Sequence, residues 1–178
     1  MSTDLSLLPI LETARLRLTP LVAEDADFIF PLMANAEVMA FWDVPESDDP
    51  DLIAGIVEGQ VEEMAKGRAV YWAMRAPDDA FLGVCDLSEI DRRHHRAEVG
   101  FLLGREAWGQ GYASEAMRAV IAYAAARGLR RLLARTHLGN RRSDSLLEAL
   151  GFVEEGLLRG HVLRDGERRD CRLFGLLL

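Results

Sequence analysis

The sequence predicts a mixed α/β fold with its elements in the order β-α-α-β-β-β-α-β-α-β-β. Three observations carry this reading. Residues 14–20 alternate apolar and polar side chains, the period of a half-buried strand. After residue 103 the period changes from 2 to 3.6 and stays helical to residue 127. Strand and helix patterns alternate across residues 93–159, as in a sheet with helical crossovers. The 178 residues suit a single domain, and no repeat, low-complexity stretch or linker interrupts them.

The first strand, residues 14–20, ends at Pro20. Glu24 and Asp25 then open a helix, because acids in a first turn face the positive end of its dipole. Phe28, Ile29, Leu32 and Met33 share the face expected to be buried. Residues 43–51 are acidic and broken by Pro45 and Pro50, so they form a loop. A second helix follows, with Ile53, Ile56, Val57, Val61 and Met64 as its apolar stripe and Gly67 as its stop. Residues 69–75 and 81–88 are strands on either side of Pro77-Asp78-Asp79. Residues 95–103 alternate again around Glu98, Gly100 and Leu102.

The helix over 111–127 has Ala113, Ala116, Met117, Val120, Ile121 and Ala124 on one face, and Gly128 closes it. Residues 130–137 form a strand. A short helix runs from Asn140, a good N-cap, to Leu150, with Gly151 as its stop. Residues 153–159 and 168–177 form a closing hairpin around Asp165-Gly166, a dipeptide suited to a tight turn.

Charge narrows the function classes. The chain has 21 basic and 29 acidic residues, a formal net charge of −8. Residues 1–90 hold 18 acids and 5 bases, whereas residues 91–178 hold 11 acids and 16 bases. That split excludes a uniformly basic nucleic-acid binder. It suits a chain whose second half attracts anions. No apolar run approaches the roughly 20 residues needed to span a bilayer. The start, Met1-Ser2-Thr3-Asp4, lacks the basic and apolar regions of a signal peptide. A cytoplasmic protein with no membrane partner is therefore expected. Cys85 and Cys171 are too few for a disulfide scaffold or a cysteine zinc site, and Cys85 sits in an apolar strand that belongs to the core.

The segment from Arg105 to Ala116 is the most informative. A strand ends near 103, glycines stand at 109 and 111, and a helix begins at once. The first turn of a helix offers unpaired backbone N–H groups and partial positive charge, and glycines admit a ligand close to that backbone. Together they make a phosphate cradle. It is not a P-loop, since no Gly-Lys-Ser/Thr follows. As a dinucleotide fingerprint, Gly109-Gln-Gly111-Tyr-Ala-Ser114 lacks the third glycine, and residues 127–135 contain no acid for a ribose. A nucleotide-binding protein is the weaker reading. The second informative segment runs from His137 to Phe152, with Ser143 in a first helical turn, facing solvent or a ligand.

These segments, in this order and spacing, resemble the GNAT superfamily of acyl-CoA-dependent N-acetyltransferases. The branch containing bacterial ribosomal-protein N-terminal acetyltransferases is the most similar. Leu11-Glu-Thr-Ala-Arg-Leu-Arg-Leu18, Glu37-Val-Met-Ala-Phe-Trp42, Ala97-Glu-Val-Gly-Phe101, Trp108-Gly-Gln-Gly-Tyr-Ala113 and Asn140-x-x-Ser143 before Leu147-Glu-Ala-Leu-Gly-Phe152 carry the resemblance, which runs from about residue 10 to the end. One position departs from the usual pattern. Glu106 stands where the superfamily usually places Gln or Arg.

The resemblance implies a mixed α/β (α+β) fold with a central antiparallel sheet flanked by helices, and acetyl-CoA as donor, with no metal. It implies that Trp108, Gly109, Gln110, Gly111, Tyr112, Ala113 and Ser114 wrap the pyrophosphate, that the backbone of Phe101, Leu102 and Leu103 pairs with pantetheine, and that Asn140 and Ser143 approach the thioester. Arg105, Arg141 and Arg142 lie near the phosphates. Direct attack by an amine requires a base to remove a proton. Glu98 is the candidate, and its plainer alternative is a polar strand residue paired with Arg92, Arg93 or Arg96. Ser143 is the candidate to meet the departing thiolate, its alternative being a simple helix-start serine; Tyr112 is the reserve acid.

For the acceptor, residues 37–63 hold nine acids and no base. The resemblance puts this region beside the acceptor cleft, where it would draw a protein N-terminus, a polyamine or an aminoglycoside. A solvated acidic helix pair explains the same residues. Trp42, Tyr71 and Trp72 are candidates to line the cleft; Tyr71 and Trp72 are strand neighbours facing opposite sides, so one of them belongs to the core. His94 and His95 likewise point apart and read as a solvated turn, and His137 and His161 have no ligand-spaced partners. A non-catalytic acyl-CoA-binding module on the same fold is the remaining alternative, and the family contains both monomers and homodimers.

Overall fold

In the computed structural model, which describes residues 8–178, eight strands form one sheet in the order β1-β2-β3-β4-β5-β6-β8-β7. They are β1 (Leu11–Glu12), β2 (Arg17–Pro20), β3 (Val70–Arg75), β4 (Phe81–Asp91), β5 (Arg96–Leu103), β6 (Arg131–His137), β7 (Val153–Arg164) and β8 (Glu167–Leu177). The helices are α1 (Ala26–Met33), α2 (Ala36–Met39), α3 (Pro50–Ala65), α4 (Tyr112–Ala126) and α5 (Arg141–Ala149). Every neighbouring pair is antiparallel except β5 and β6, which run parallel on either side of the α4 crossover.

Local chemistry explains most boundaries. Asn35 caps α2 by accepting from the Glu37 and Val38 amides, and Asp49 caps α3 through the Asp51 and Leu52 amides. Gly67, Gly128 and Gly151 adopt positive φ just past α3, α4 and α5. Asp165 and Gly166 both have positive φ, the geometry of a tight turn that matches strand twist, so β7 and β8 pair almost to their tips. Two short elements lie outside the sequence expectation, the two-residue β1 and the one-turn α2. The first strand is also shorter than expected, because Thr13 closes a turn onto Leu16 before β2 starts.

The sheet buries both faces. One face packs Leu18, Trp72, Cys85, Leu87, Val99 and Leu132 against Ala116, Met117, Val120 and Ala124 of α4. The other packs Ala73, Val84 and Leu102 against Ile29, Met33, Ile53, Val57 and Met64 of α1 and α3. Trp72 is 0% exposed; its indole N–H donates to the Pro9 carbonyl at 3.2 Å and its ring meets Tyr123 edge-on. The expectation that Trp72 lines a cleft is therefore corrected, because its side chain lies in the α4-side core. Phe28 is also outside the core: it is exposed and stacks on Phe81, with Arg75 over both rings.

The parallel pair is the irregular part of the sheet. β5 and β6 share only the pairs Arg96–Arg131, Ala97–Leu132 and Glu98–Leu133. Beyond Glu98 the strands part. Residues 99–103 stay bonded to β4, and residues 134–137 stay bonded to β8, so each strand keeps one free backbone edge facing the gap.

The β7–β8 hairpin closes over the α2 side of this gap. Arg164, 6% exposed, donates to the carbonyls of Met39 at 2.6 Å and Trp42 at 3.0 Å, and reaches Glu46 at 3.3 Å. Removing this side chain takes one of two donors from the Met39 carbonyl, which keeps the Trp42 amide at 3.1 Å, takes the Arg164 donor from the Trp42 carbonyl, and leaves a space between the hairpin and α2. Arg164→Ala is expected to lower the unfolding free energy by about 2–4 kcal/mol. Urea denaturation checks this, and a loss below about 0.5 kcal/mol would show that the hairpin docks without it.

Candidate active site

The gap between β5 and β6 opens into a cleft of about 1120 Å³. Its floor is the free edge of β5, its walls come from β6, α5 and the 41–43 loop, and its far end is the glycine turn before α4. Backbone groups along 99–103 that face the gap have no strand partner. Apart from the Leu103 carbonyl, which accepts from the Trp108 indole, they need water or a ligand to bond them.

At the far end, Gly109 and Gly111 have φ of 74° and 81°, which a side chain would oppose. No side chain caps Gly111, so the first-turn amides of α4 remain available to an anion. The turn is braced from the N-terminal segment. Arg15 donates to the Gln110 carbonyl at 2.9 Å and to Glu115 at 2.7 Å, and lies 4.7 Å over the Tyr112 ring. Thr13 donates to the same Glu115 carboxylate at 2.6 Å. Burial alone would raise the Glu115 carboxyl, but these bonds from Thr13 and Arg15 outweigh it and hold the group below the ordinary range. Trp108 donates to the Leu103 carbonyl at 2.9 Å and is flanked by the Arg105 and Arg142 guanidiniums at 4.8 and 5.1 Å. This puts two guanidiniums beside the glycine-turn end of the cleft.

Glu98 stands where the strands part. Its carboxylate accepts from Arg135 Nε at 2.8 Å and is mostly buried. Burial raises its pKa, Arg135 opposes that by charge and hydrogen bond, and Glu89 and Asp43 reinforce the rise. The expected alternatives, Arg92, Arg93 and Arg96, are not its partners. Arg135 also donates to His161 at 2.7 Å, and the buried His137 pairs with Asp43 at 2.8 Å. These side chains form a linked hydrogen-bonded set beside Glu98. His94 and His95 sit in an exposed turn, where Asp91 accepts from the Arg93 and His94 amides.

Also on the cleft lining, Asn140 caps α5 by accepting from the Ser143 amide at 3.3 Å, which holds the Asn140 side chain and the Ser143 backbone in place. Below them, buried Asp144 accepts from Thr136 at 2.7 Å and from Arg172, tying α5 to β6 and β8. The structure thus brings Glu98, Phe101, Leu102, Leu103, Trp108, Gly109, Gly111, Tyr112, Ala113, Ser114, Asn140, Arg142, Ser143, Trp42 and Tyr71 to one cleft. Gln110 is the exception in the turn: its side chain bends back to donate to the Glu106 carbonyl at 2.7 Å.

Of the nine acids in residues 37–63, only Glu37 and Asp43 line the cleft. Glu37 pairs with Arg105, Asp43 with His137, Glu46 with Arg164 and Glu63 with Arg68, while Asp49 is the α3 cap. Most of this charge therefore serves internal contacts. Among the described residues no cluster of three or more His, Cys, Asp or Glu side chains is arranged for a metal ion, and no helix is long and apolar enough to cross a membrane.

One cleft residue escaped the sequence reading. Asp86 of β4 lies between Tyr71 of β3 and Gly100 of β5 in cross-strand register. A Cβ on residue 100 would sit 2.6 Å from its Oδ1, so the carboxylate occupies the space that Gly100 leaves open. Burial pushes its pKa up to about 7, Ser88 lowers it by a hydrogen bond, and Glu98 adds to the rise. A polar residue in a strand of mixed pattern, opposite a glycine, was the available signal.

Comparison with known proteins identifies the family and the fold. Residues 15–153 match the family described as "Acetyltransferase (GNAT) domain". An uncharacterized N-acetyltransferase, p20, of Bacillus licheniformis is 32% identical over 94% of this chain and 95% of its own length. The ribosomal protein uS5 alanine N-acetyltransferase of Escherichia coli is 34% identical over 66% of this chain and 63% of its own length. In fold, the chain is similar to a spermidine N-acetyltransferase from Vibrio cholerae solved with CoA and spermine, with a TM-score of 0.82, 23% identity, and coverage of 93% and 96% of the two chains.

Asp86 makes stability depend on pH with a definite sign. The folded chain holds a proton up to about pH 7 that an ordinary aspartate releases near 3.8. Between these values the folded state binds more protons than the unfolded one, so this carboxyl makes stability fall as pH rises. Asp86→Asn removes that component. Urea midpoints between pH 4.5 and 7 should decline less steeply for the variant than for the parent, and parallel curves would contradict the assignment.

Proposed function

The chain belongs to the GNAT acetyltransferase family, and from that premise we propose that it moves an acetyl group from acetyl-CoA directly to a primary amine, a protein N-terminal amine above all. One observation carries the reading: a half-buried carboxylate, Glu98, stands where a free strand edge leads to an uncapped, glycine-bounded helix start. That arrangement fits an elongated donor with phosphates at one end and an acyl group at the other. The α4 first turn would receive the pyrophosphate, with Arg105 and Arg142 beside it. The free backbone of 101–103 would hydrogen-bond the pantetheine amides and, near the reacting carbon, the carbonyl oxygen as charge develops on it.

An ammonium has no lone pair for attack, so the acceptor must lose a proton first. Glu98 is the group to take it, and Arg135 holds the carboxylate in place at the point where the two substrates meet. Ser143, positioned by the Asn140 cap, would hydrogen-bond the leaving sulfur. Similarity to the uS5 alanine N-acetyltransferase favours a protein N-terminus as acceptor. A second reading, a small polyamine, draws on Glu37 and Asp43 in the cleft lining. CoA-thiol release measured over alanine- and serine-started peptides, spermidine and an aminoglycoside separates the two; CoA binding with no acceptor-dependent thiol release would instead mark a non-catalytic module.

Two substitutions test the assigned roles. Glu98→Gln should lower kcat by about 100- to 1000-fold while the Kd for acetyl-CoA stays within twofold; an unchanged kcat removes Glu98 as the base. Gly111→Ala places a side chain at φ 81° and 3.4 Å from Arg15 Nη2. Strain of about 1–2 kcal/mol should weaken acetyl-CoA binding roughly tenfold with little change in kcat, which calorimetry and steady-state kinetics would read.

A further inference from the structure

Glu98 is held by a cation of the chain, whereas a second carboxylate in the same cleft is not. We propose that Asp86 is the anionic seat for the acceptor's ammonium group, binding the amine as a cation before Glu98 takes its proton. This rests on the acetyltransferase reading above and assigns a residue that reading leaves unused.

Four observations support it. Asp86 and Glu98 lie on adjacent strands and face one cleft: Ser88 pairs with Glu98 across β4 and β5, and Asp86 pairs with Gly100 two positions along. Gly100 alone makes room for the carboxylate, since a Cβ there would approach Oδ1 to 2.6 Å. Among the described residues no Arg, Lys or His lies within ion-pair distance of Asp86, while Glu98 has Arg135 at 2.8 Å and Asp43 has His137 at 2.8 Å. The groups that do face it are Ser88 on its own strand, Tyr71 on β3 and Glu98 on β5, none of them a cation; Cys85, its chain neighbour, is in the opposite core. Burial and Glu98 raise the Asp86 carboxyl, and burial and Asp86 raise the Tyr71 hydroxyl to about 12, as expected where no cation stands beside either group.

The charges then balance. An arriving ammonium supplies the missing cation and favours ionised Asp86, which gives its proton, where it holds one, to solvent. The bound ammonium passes one proton to Glu98 and becomes the attacking amine. Asp86 thus positions and selects the acceptor and does not itself deprotonate it. A neutral Asn keeps the shape and loses the charge.

The test uses the full chain and two readouts. In the first, carboxyl 13C resonances of aspartate-labelled protein are titrated with and without saturating n-butylamine, the Asp86 signal being the one absent from Asp86→Asn. Its midpoint should fall by at least one pH unit with the amine present; an unmoved midpoint overturns the proposal. In the second, Asp86→Asn should raise KM at least tenfold for the best acceptor of the thiol-release panel, with kcat within threefold and KM for acetyl-CoA unchanged. Gly100→Ala, which displaces the carboxylate, should raise the same KM, and Asp86→Asn/Gly100→Ala should add nothing further. An acceptor KM within twofold of the parent, or equal losses for acetyl-CoA and acceptor, overturns the proposal. If no amine releases CoA from the parent protein, the acetyltransferase reading fails as a whole, whereas release with an unchanged Asp86→Asn sinks the seat alone.

Discussion

The site depends on one break in backbone pairing. β5 and β6 hold a parallel ladder for three pairs and then part at Glu98. A sheet that stayed paired there would satisfy its own N–H and C=O groups and leave no cleft. Because it does not, the β5 edge keeps groups that must find partners elsewhere. The strands can afford to diverge because each is held from its outer side, β5 by β4 and β6 by β8. The crossover between them is α4, so the same opening exposes that helix's uncapped N-terminus. One topological feature thus yields both a backbone edge for amide recognition and a dipole end for phosphate recognition.

The remaining devices keep that opening in shape. Arg15, Thr13 and Glu115 fasten the glycine turn to the first hairpin. Thr136, Asp144 and Arg172 fasten α5 to the far wall. Arg164 fastens the β7–β8 hairpin to the end of α2. Each anchor pairs charge with hydrogen bonds, and of these side chains Thr136 alone is on the cleft lining. Charge within the cleft is divided by place: guanidiniums of Arg105 and Arg142 flank Trp108 at the glycine-turn end, while Asp86 and Glu98 lie on β4 and β5.

Local signals in the sequence were reliable, and long-range ones were silent. The glycines at 109 and 111, the Asn140 cap, the Gly151 stop and the Asp165-Gly166 turn all encode backbone geometry within a few residues, so their positions could be read directly. Strand alternation established that Tyr71 and Trp72 face opposite ways but not which way; only packing against Tyr123 and Pro9 decides that Trp72 is core. The one-turn α2 is too short for a periodic signature. The acids of residues 37–63 looked like one field, yet several pair with arginines or a histidine from beyond residue 100, contacts that span the chain and leave no trace in spacing. The uneven charge of the two halves is in part a set of ion pairs between them. Asp86 was missed for the same reason, since its meaning lies in Gly100 on the next strand.

The most direct measurement is amide hydrogen exchange with and without acetyl-CoA. If the parted strands and the glycine turn hold the donor, gap-facing amides in 99–103 and the first-turn amides of α4 should slow together by tenfold or more, while the paired residues 96–98 change little. Protection confined to other surfaces, or no protection at ligand concentrations that saturate binding, would contradict the placement of the donor in this cleft.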